Sequence, residues 1–375
     1  MNRSLFLRKV MSMKIVTILG TRPEIIRLSL IIRKLDDLAE RHVLVHTGQN
    51  FTRSLSDVFF EEMNLRQPDY VLDHRSSALG AQLSAMFGQV ADILERERPD
   101  KVLLLGDTNS ALCAIVAERM GIPVMHMEAG NRCYDLRVPE EKNRKIIDAV
   151  STINMPYTPG SKRNLSREGC PADHIVLTGN PIYEVLQAYA SSIDSSRILD
   201  KLQLIPRDYY LVTAHRAENV DVPEHLEQIL QALNDIAARD NRRIICSIHP
   251  RTRSRIAALG HVHPHPLVEF HEPFGFFDFV RLEREALCVM TDSGTVQEEC
   301  CLMRVPTVTM RHTTERPETV DCGSNVVAGL NAGQIADAVK LMVKLPTDWE
   351  FPEGYTDRDV STKVVKYVLG GKQNV

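Results

Sequence analysis

Twice along this chain, short apolar runs of six or seven residues alternate with longer amphipathic stretches, and that rhythm limits the fold more than any other feature. In the first half the apolar runs are KIVTILG (14–20), HVLVHT (42–47), KVLLLGD (101–107) and IPVMHME (122–128). In the second they are YYLVTAH (209–215), RIICSIH (243–249), PLVEFH (266–271), ALCVMTD (286–292) and VPTVTM (305–310). Runs that are apolar on both faces, rather than on every second residue, belong to strands covered by helices above and below. The intervening stretches read as those helices: IIRLSLIIRKLDDL, segments near 54–63 and 80–96, one from Asn109 and one near Glu140. VPEHLEQILQALNDIAAR, 332–344 and 357–369 follow. The expected class is α/β, with two doubly wound, Rossmann-like domains facing each other across a cleft.

The first half is expected to close after VLTGNP (176–181), and the polar stretch 191–206, ending in a proline, reads as the linker. This predicts an N-terminal domain over 13–190, a C-terminal domain over 205–350, and a helix within 355–372 that returns to the first domain. Residues 1–12 are expected to be an extension ahead of Met13. The 45 Lys and Arg nearly balance 49 Asp and Glu, a net charge of −4, which argues against a nucleic-acid binder with a broad basic surface. No run approaches the roughly 20 apolar residues that span a bilayer, so no membrane partner is expected. The eight cysteines show neither CxxC nor zinc-like spacing and are read as reduced thiols in a cytoplasmic protein.

In open parallel sheets ligands bind beyond the carboxyl ends of the strands, so the residues just after each run carry the most information. They are unusually polar: GTRPE (20–24), GDT (106–108), HMEAG (126–130), HR (215–216), HPR (249–251) and DSG (292–294). No GxGxxG or GxxxxGK[ST] is present to cradle a dinucleotide or a triphosphate. Arg22 stands where a new helix begins, ahead of Pro23, and its planar fork suits a diphosphate. A surface ion pair with Glu24 is the alternative, and Arg27 one turn later is a second cation or a solvated one. Ser293 and Gly294 open a helix whose free amides would bind phosphate, unless Thr295 and Glu298 are an ordinary capping box. Glu299, more than a turn further, is within reach of a ribose diol.

Asp107, Glu128 and Glu140 form the sharper group. Two end consecutive strands and the third starts the next helix, and three carboxylates at one cleft mouth are suited to general acid–base work. His215 and His249, with Arg216 and Arg251, suggest an anion site in the second half. His261, His263 and His265 could chelate a metal on paper, but the prolines around them read as a loop. In FGFFDF (274–279), Phe274 and Phe279 are core residues or a platform for a nucleobase.

Taken together, GTRPEIIRLS, LLGDTNSALCA, MHMEAGNRC, VPEEKNRK, VLTGNP, VTAHRAEN, TDSGTVQEE and HTTERPE resemble the non-hydrolysing UDP-N-acetylglucosamine 2-epimerase family, from Met13 to about Gly329. The resemblance implies a glycosyltransferase-B-like fold, a UDP-sugar in the interdomain cleft, no organic cofactor or metal, and a homodimer. By resemblance Asp107, Glu128 and Glu140 are the acid–base carboxylates, and Arg22 and His215 match diphosphate-binding and catalytic positions. Ser293 and Gly294 match phosphate contacts, Glu299 the ribose carboxylate, and Arg316 a further ligand contact; Arg27, His249, Phe274 and Phe279 complete the substrate-binding set. Arg27 departs from the Lys of the best-known members. The segment 46–51, HTGQNF, replaces one that in some members binds an activating second UDP-GlcNAc. GTRPEIIRLS, HTGQN, EAGNRC and PFGFFDF resemble a capsule and O-antigen branch that inverts carbon 2 of UDP-linked 6-deoxy-N-acetylhexosamines. A glycosyltransferase of the same shape and a non-catalytic UDP-sugar sensor are the alternatives.

Overall fold

The computed structural model describes residues 11–48, 53–73, 78–248, 250–260 and 263–370. His249, residues 49–51 of the HTGQNF segment and His261 lie outside the described residues. The chain forms two compact units, one of residues 1–185 with 353–375 and one of residues 186–352.

The first unit is built on a six-stranded sheet. Its strands are β1 (Met11–Leu19), β2 (Ala39–His46), β3 (Tyr70–Val71), β4 (Lys101–Leu105), β5 (Val124–Met127) and β6 (Ile153–Met155). They pair in the order β3-β2-β1-β4-β5-β6, parallel throughout. The second unit repeats the plan with β7 (Tyr209–Thr213), β8 (Arg243–Ser247), β9 (Val268–His271), β10 (Cys288–Thr291), β11 (Thr307–Thr309) and β12 (Asn325–Val327). Its order is β12-β11-β10-β7-β8-β9, again all parallel. In each sheet the winding direction reverses beside the first strand, at β1/β4 and at β7/β10. Such reversals leave a crevice at the strand ends.

Burial explains why the strands lack alternation. In the second unit Tyr210, Val212, Ile244, Cys246 and Met290 pack into one hydrophobic cluster. Their sequence neighbours Tyr209, Leu211, Ile245 and Val289 pack into another. Both faces are therefore covered. Each fully buried Val, Leu or Ile contributes about 1.5–3 kcal/mol relative to exposure. Helix Arg22–Leu38 buries Ile25, Leu28, Ile32 and Leu35, the one-face spacing of an amphipathic helix. It starts at a capping box between Thr21 and Glu24.

Three short strands escape an apolar-run reading, because β3, β6 and β12 hold only two or three residues each. The stretch 191–206 is not an extended linker. It contains helices Ala190–Asp194 and Ile198–Leu202, and Ile198, Leu199 and Leu204 join the core of the second unit. The closing helix Val360–Gly370 packs on helix Arg22–Leu38, where Lys34 Nζ donates to Ser361 and Thr362 at 2.6 Å. All eight cysteines are free thiols. Among the described residues, no helix is long and apolar enough to cross a membrane.

Candidate active site

In the first unit the carboxylates sit where the backbone turns off the sheet. β4 and β5 are neighbours with Leu105 opposite Met127, so Asp107 and Glu128 leave adjacent strands side by side. Gly106 (φ +83°) and Glu128 (φ +67°) are both left-handed. That conformation is costly for a residue with a Cβ, and a glutamate held in it is an outlier of the kind found at functional sites. Helix Pro139–Val150 follows, with Glu140 in its first turn. Four residues further along its face, Arg144 Nε donates to Asp107 Oδ2 at 2.8 Å, and Asn143 Nδ2 donates to the Asp107 carbonyl at 2.9 Å. Arg144 also holds Glu141 at 2.6 Å. Glu141 is fully buried and accepts the amides of Cys133 and Tyr134, each at 3.0 Å. Glu141 thus braces the loop ahead of its helix, while its neighbour Glu140 is half-buried in the first turn.

Arg27, expected to contact ligand, is 1 % exposed. Its guanidinium is ion-paired with Glu128 and lies 5.7 Å from the Tyr157 ring centroid. A buried charge needs a close partner, and here the partner is a candidate catalytic carboxylate. Arg22 begins its helix as expected, half-buried over the Phe59 ring at 5.0 Å. Glu24 turns inward. Its carboxylate accepts the amides of Gly20 (2.5 Å) and Thr21 (3.0 Å) and the hydroxyl of Thr108 (2.7 Å). Burial pushes its pKa up to about 7 against those hydrogen bonds. Gly20 is needed for close approach, since a Cβ there would lie 2.1 Å from Thr47 Oγ1 and 2.2 Å from Ser110 Oγ.

Beneath these turns lies a buried ionic network that the sequence reading missed. His126 Nε2 donates to the Gly106 carbonyl at 2.9 Å, and Nδ1 lies 3.0 Å from Asp148 Oδ1. The other Asp148 oxygen accepts the Gly130 amide (3.0 Å) and contacts Arg132 (2.7 Å), which in turn grips Glu168. Burial opposes charge on both His126 and Asp148. Their mutual contact nonetheless raises the imidazole and, with Arg132, lowers the carboxylate. One imidazolium–carboxylate pair therefore ties the turn of Asp107 to the turn of Glu128.

The second unit repeats the motif. β7 and β10 are adjacent, with Thr213 opposite Thr291, and Asp292 follows β10. Its Oδ2 accepts the amides of His215 and Arg216 (both 2.9 Å) and Asn219 Nδ2 (3.1 Å), while Oδ1 lies 3.0 Å from His215 Nδ1. Burial would raise the Asp292 carboxyl, yet His215 and Arg216 hold it at about 2. His215 itself is 54 % exposed, which leaves its outer nitrogen accessible. Ser293 stands at the N-cap position of helix Gly294–Met303 without a side-chain cap hydrogen bond, so the expected Thr295–Glu298 capping box is not what opens it. Glu298 instead meets Arg316 Nε at 3.0 Å. A Cβ on Gly294 would lie 2.4 Å from Glu315 Oε1, and Glu315 bridges Arg311 (2.8 Å) and Arg216 (3.4 Å). Glu299 is buried one turn into the same helix. Phe274 is half-buried, with its ring 5.6 Å from that of His271. Phe279 is 2 % exposed inside the hydrophobic cluster and acts as a core residue. Among the described residues, no group of three or more His, Cys, Asp or Glu is arranged to hold a metal.

A sequence model of the family described as UDP-N-acetylglucosamine 2-epimerase matches residues 33–369. A curated relative from Methanocaldococcus jannaschii, a UDP-N-acetylglucosamine 2-epimerase, is 40 % identical over 96 % of this chain and 100 % of its own. A Pseudomonas aeruginosa relative, a UDP-2,3-diacetamido-2,3-dideoxy-D-glucuronate 2-epimerase, is 36 % identical over 95 % of this chain and 99 % of its own. The crystal structure of the M. jannaschii UDP-GlcNAc 2-epimerase in complex with UDP-GlcNAc and UDP superposes with a TM-score of 0.90. It is 36 % identical and covers 95 % of this chain and 99 % of that one. A glycosyltransferase of lipopolysaccharide biosynthesis shares the fold alone, with a TM-score of 0.60 at 11 % identity over 96 % of this chain and 100 % of that one.

Proposed function

The chain belongs to the UDP-N-acetylglucosamine 2-epimerase family, whose members are isomerases, and we propose that it inverts carbon 2 of a UDP-N-acetylhexosamine by eliminating and re-adding UDP. The observation that carries this reading is the grouping of Asp107 and Glu128 on adjacent strand ends, each beside a guanidinium, with Glu140 in the first turn of the helix whose Arg144 holds Asp107. The hydrogen on carbon 2 has no neighbouring carbonyl to acidify it, so its removal is coupled to departure of UDP from carbon 1, giving a glycal. Returning the proton to the opposite face as UDP re-adds inverts the centre. That sequence requires acid–base groups for both faces and cationic groups for the leaving diphosphate.

In this proposal Asp107, Glu128 and Glu140 move the proton. Arg22, with Ser293, Gly294 and Arg316, stabilises the diphosphate, His215 is the acid–base group at the departing diphosphate, His249 adds a cation, Glu299 takes the ribose and Phe274 the base. Arg27 acts through Glu128. UDP-GlcNAc going to UDP-ManNAc is the first substrate pair to test. The finer reading is a 6-deoxy-N-acetylhexosamine, the talosamine-to-fucosamine step of a capsule or O-antigen pathway. It is supported by the segments HTGQNF and FGFFDF and by likeness to a relative that acts on a modified amino sugar. The proposal includes a cytoplasmic homodimer, which sedimentation would test by mass.

The experiment is a panel in which purified protein is incubated with UDP-GlcNAc, a UDP-6-deoxy-N-acetylhexosamine and a UDP-diacetamido uronate, and the epimers are separated by chromatography. Conversion of at least one without stoichiometric free UDP is expected. Stoichiometric UDP release only with an acceptor would instead make the protein a transferase, and binding with no conversion of any would make it a sensor.

A further inference from the structure

Helix Gly294–Met303 and the short helix Pro317–Asp321 touch at two places. At one, Glu298 meets Arg316; at the other, the sulfurs of Cys301 and Cys322 lie 3.8 Å apart. Cys301 is buried, whereas Cys322, just past the end of the short helix, is half-buried and opens a route for a small reagent. The segment between the two cysteines carries Glu315 and Arg316, and the helix holding Cys301 begins at Ser293 and Gly294.

We propose that Cys301 and Cys322 form a redox modification site, oxidised by a peroxide to a disulfide that displaces Arg316 and weakens binding of the nucleoside diphosphate. The inference about affinity rests on the UDP-binding role given above to Arg316; the disulfide itself does not. In the first step the Cys322 thiolate attacks one peroxide oxygen, an S–O bond forms, the O–O bond breaks, and the departing hydroxide is protonated to water. Cys301 sulfur then attacks the Cys322 sulfur, the S–S bond forms, the S–O bond breaks, and hydroxide leaves with the Cys301 proton as a second water. Two thiols are oxidised by two electrons and one peroxide is reduced to two waters. A dithiol reverses it.

The geometry favours this pair on two grounds. The sulfurs are already in contact, and contact with Cys301 pulls the Cys322 thiol down while pushing its partner up, the asymmetry of an attacking and a resolving thiol. Bonding requires the sulfurs to close to about 2.05 Å. Closing the gap pulls on Cys322 at one end of the short helix, and Arg316 is the residue that immediately precedes its other end.

The test uses the full chain, reduced, then treated with hydrogen peroxide and digested without reduction. A peptide linked through Cys301 and Cys322 is expected, absent after dithiothreitol and absent from Cys322→Ser. Calorimetry should show the UDP dissociation constant raised at least about fivefold by peroxide, restored by dithiothreitol, and unchanged by peroxide in Cys322→Ser, with Cys322→Ala as a second variant should the first not fold. Peroxide that modifies Cys133 or Cys170 without the cross-link overturns the site. A cross-link with unchanged UDP affinity overturns the coupling to Arg316. Reduced protein that binds no UDP defeats the functional reading and leaves the disulfide to be judged by its peptide alone.

Discussion

Replacing Asp292 with Asn changes one oxygen to an amide at the place where the second unit holds His215. Asp292 is fully buried, and its carboxyl sits at about 2 instead of the ordinary 3.8. At 1.36 kcal/mol per pH unit, that gap is worth about 2 kcal/mol of stability. Because the folded value is depressed, this stability is present above pH ~4 and disappears as the pH falls toward 2. The Asn variant lacks it at neutral pH, so its Tm is expected to drop by roughly 5 °C, and its acid limb between pH 4 and 2 should be shallower than wild type. The catalytic effect should be larger. Three donors converge on Asp292 Oδ2, so the Asn carbonyl must face them and its NH₂ must face His215 Nδ1. That forces Nδ1 to accept and leaves the proton on Nε2, reversing the tautomer that the carboxylate selects. A reversed tautomer in an acid–base histidine costs on the order of 10²–10⁴ in kcat. UDP affinity by calorimetry should stay within threefold. Epimer formation by chromatography, run beside a thermal scan, is the assay. A folded Asp292→Asn variant with kcat within threefold of wild type would refute the assignment of Asp292 as the residue that orients His215.

Asp107→Asn and Glu128→Gln should each leave UDP binding within threefold and lower turnover at least ~100-fold, as loss of a general acid or base does; steady-state kinetics with calorimetry separates the two. Gly294→Ala drives a methyl to 2.4 Å from Glu315 Oε1 and disturbs its ties to Arg311 and Arg216, so UDP affinity should fall at least tenfold by calorimetry with a normal far-UV spectrum. Asp148→Asn strips the charged partner from buried His126 and one of the two carboxylates from Arg132, and breaking a buried pair costs about 3–5 kcal/mol; thermal unfolding should show that loss. If the network sets the Asp107 and Glu128 turns, kcat will also fall more than tenfold in the protein that stays folded, with KM little changed.

How far the sequence could be read depends on how local each feature is. Strands such as β4 and β7 were legible because burial on both faces demands an uninterrupted apolar run, visible in KVLLL and YYLVT. β3, with two residues, leaves no such run, and β6 contains the polar Asn154. Ile198 and Leu199 lie in a stretch polar enough to pass for a linker, and only their packing shows otherwise. Among the candidate site residues, Asp107, Glu128 and His215 stand out by the rule that strand ends meet ligand. Their partners do not, because Arg27 is 101 residues from Glu128 and Asp292 is 77 from His215, separations over which no local pattern operates. Glu140 and Glu141 illustrate the limit well. They are adjacent and chemically alike, yet Glu141 is fully buried as a brace and Glu140 is only half-buried.

Proton NMR of the protein with UDP-GlcNAc in deuterated water tests the central claim most directly, because elimination and re-addition must exchange the hydrogen on carbon 2. The account predicts loss of the carbon-2 proton signal together with a growing UDP-ManNAc anomeric signal, or the same pair of changes with a 6-deoxy analogue. UDP-sugars that bind yet keep their carbon-2 protons through many hours, in both the 6-hydroxy and 6-deoxy series, would contradict it.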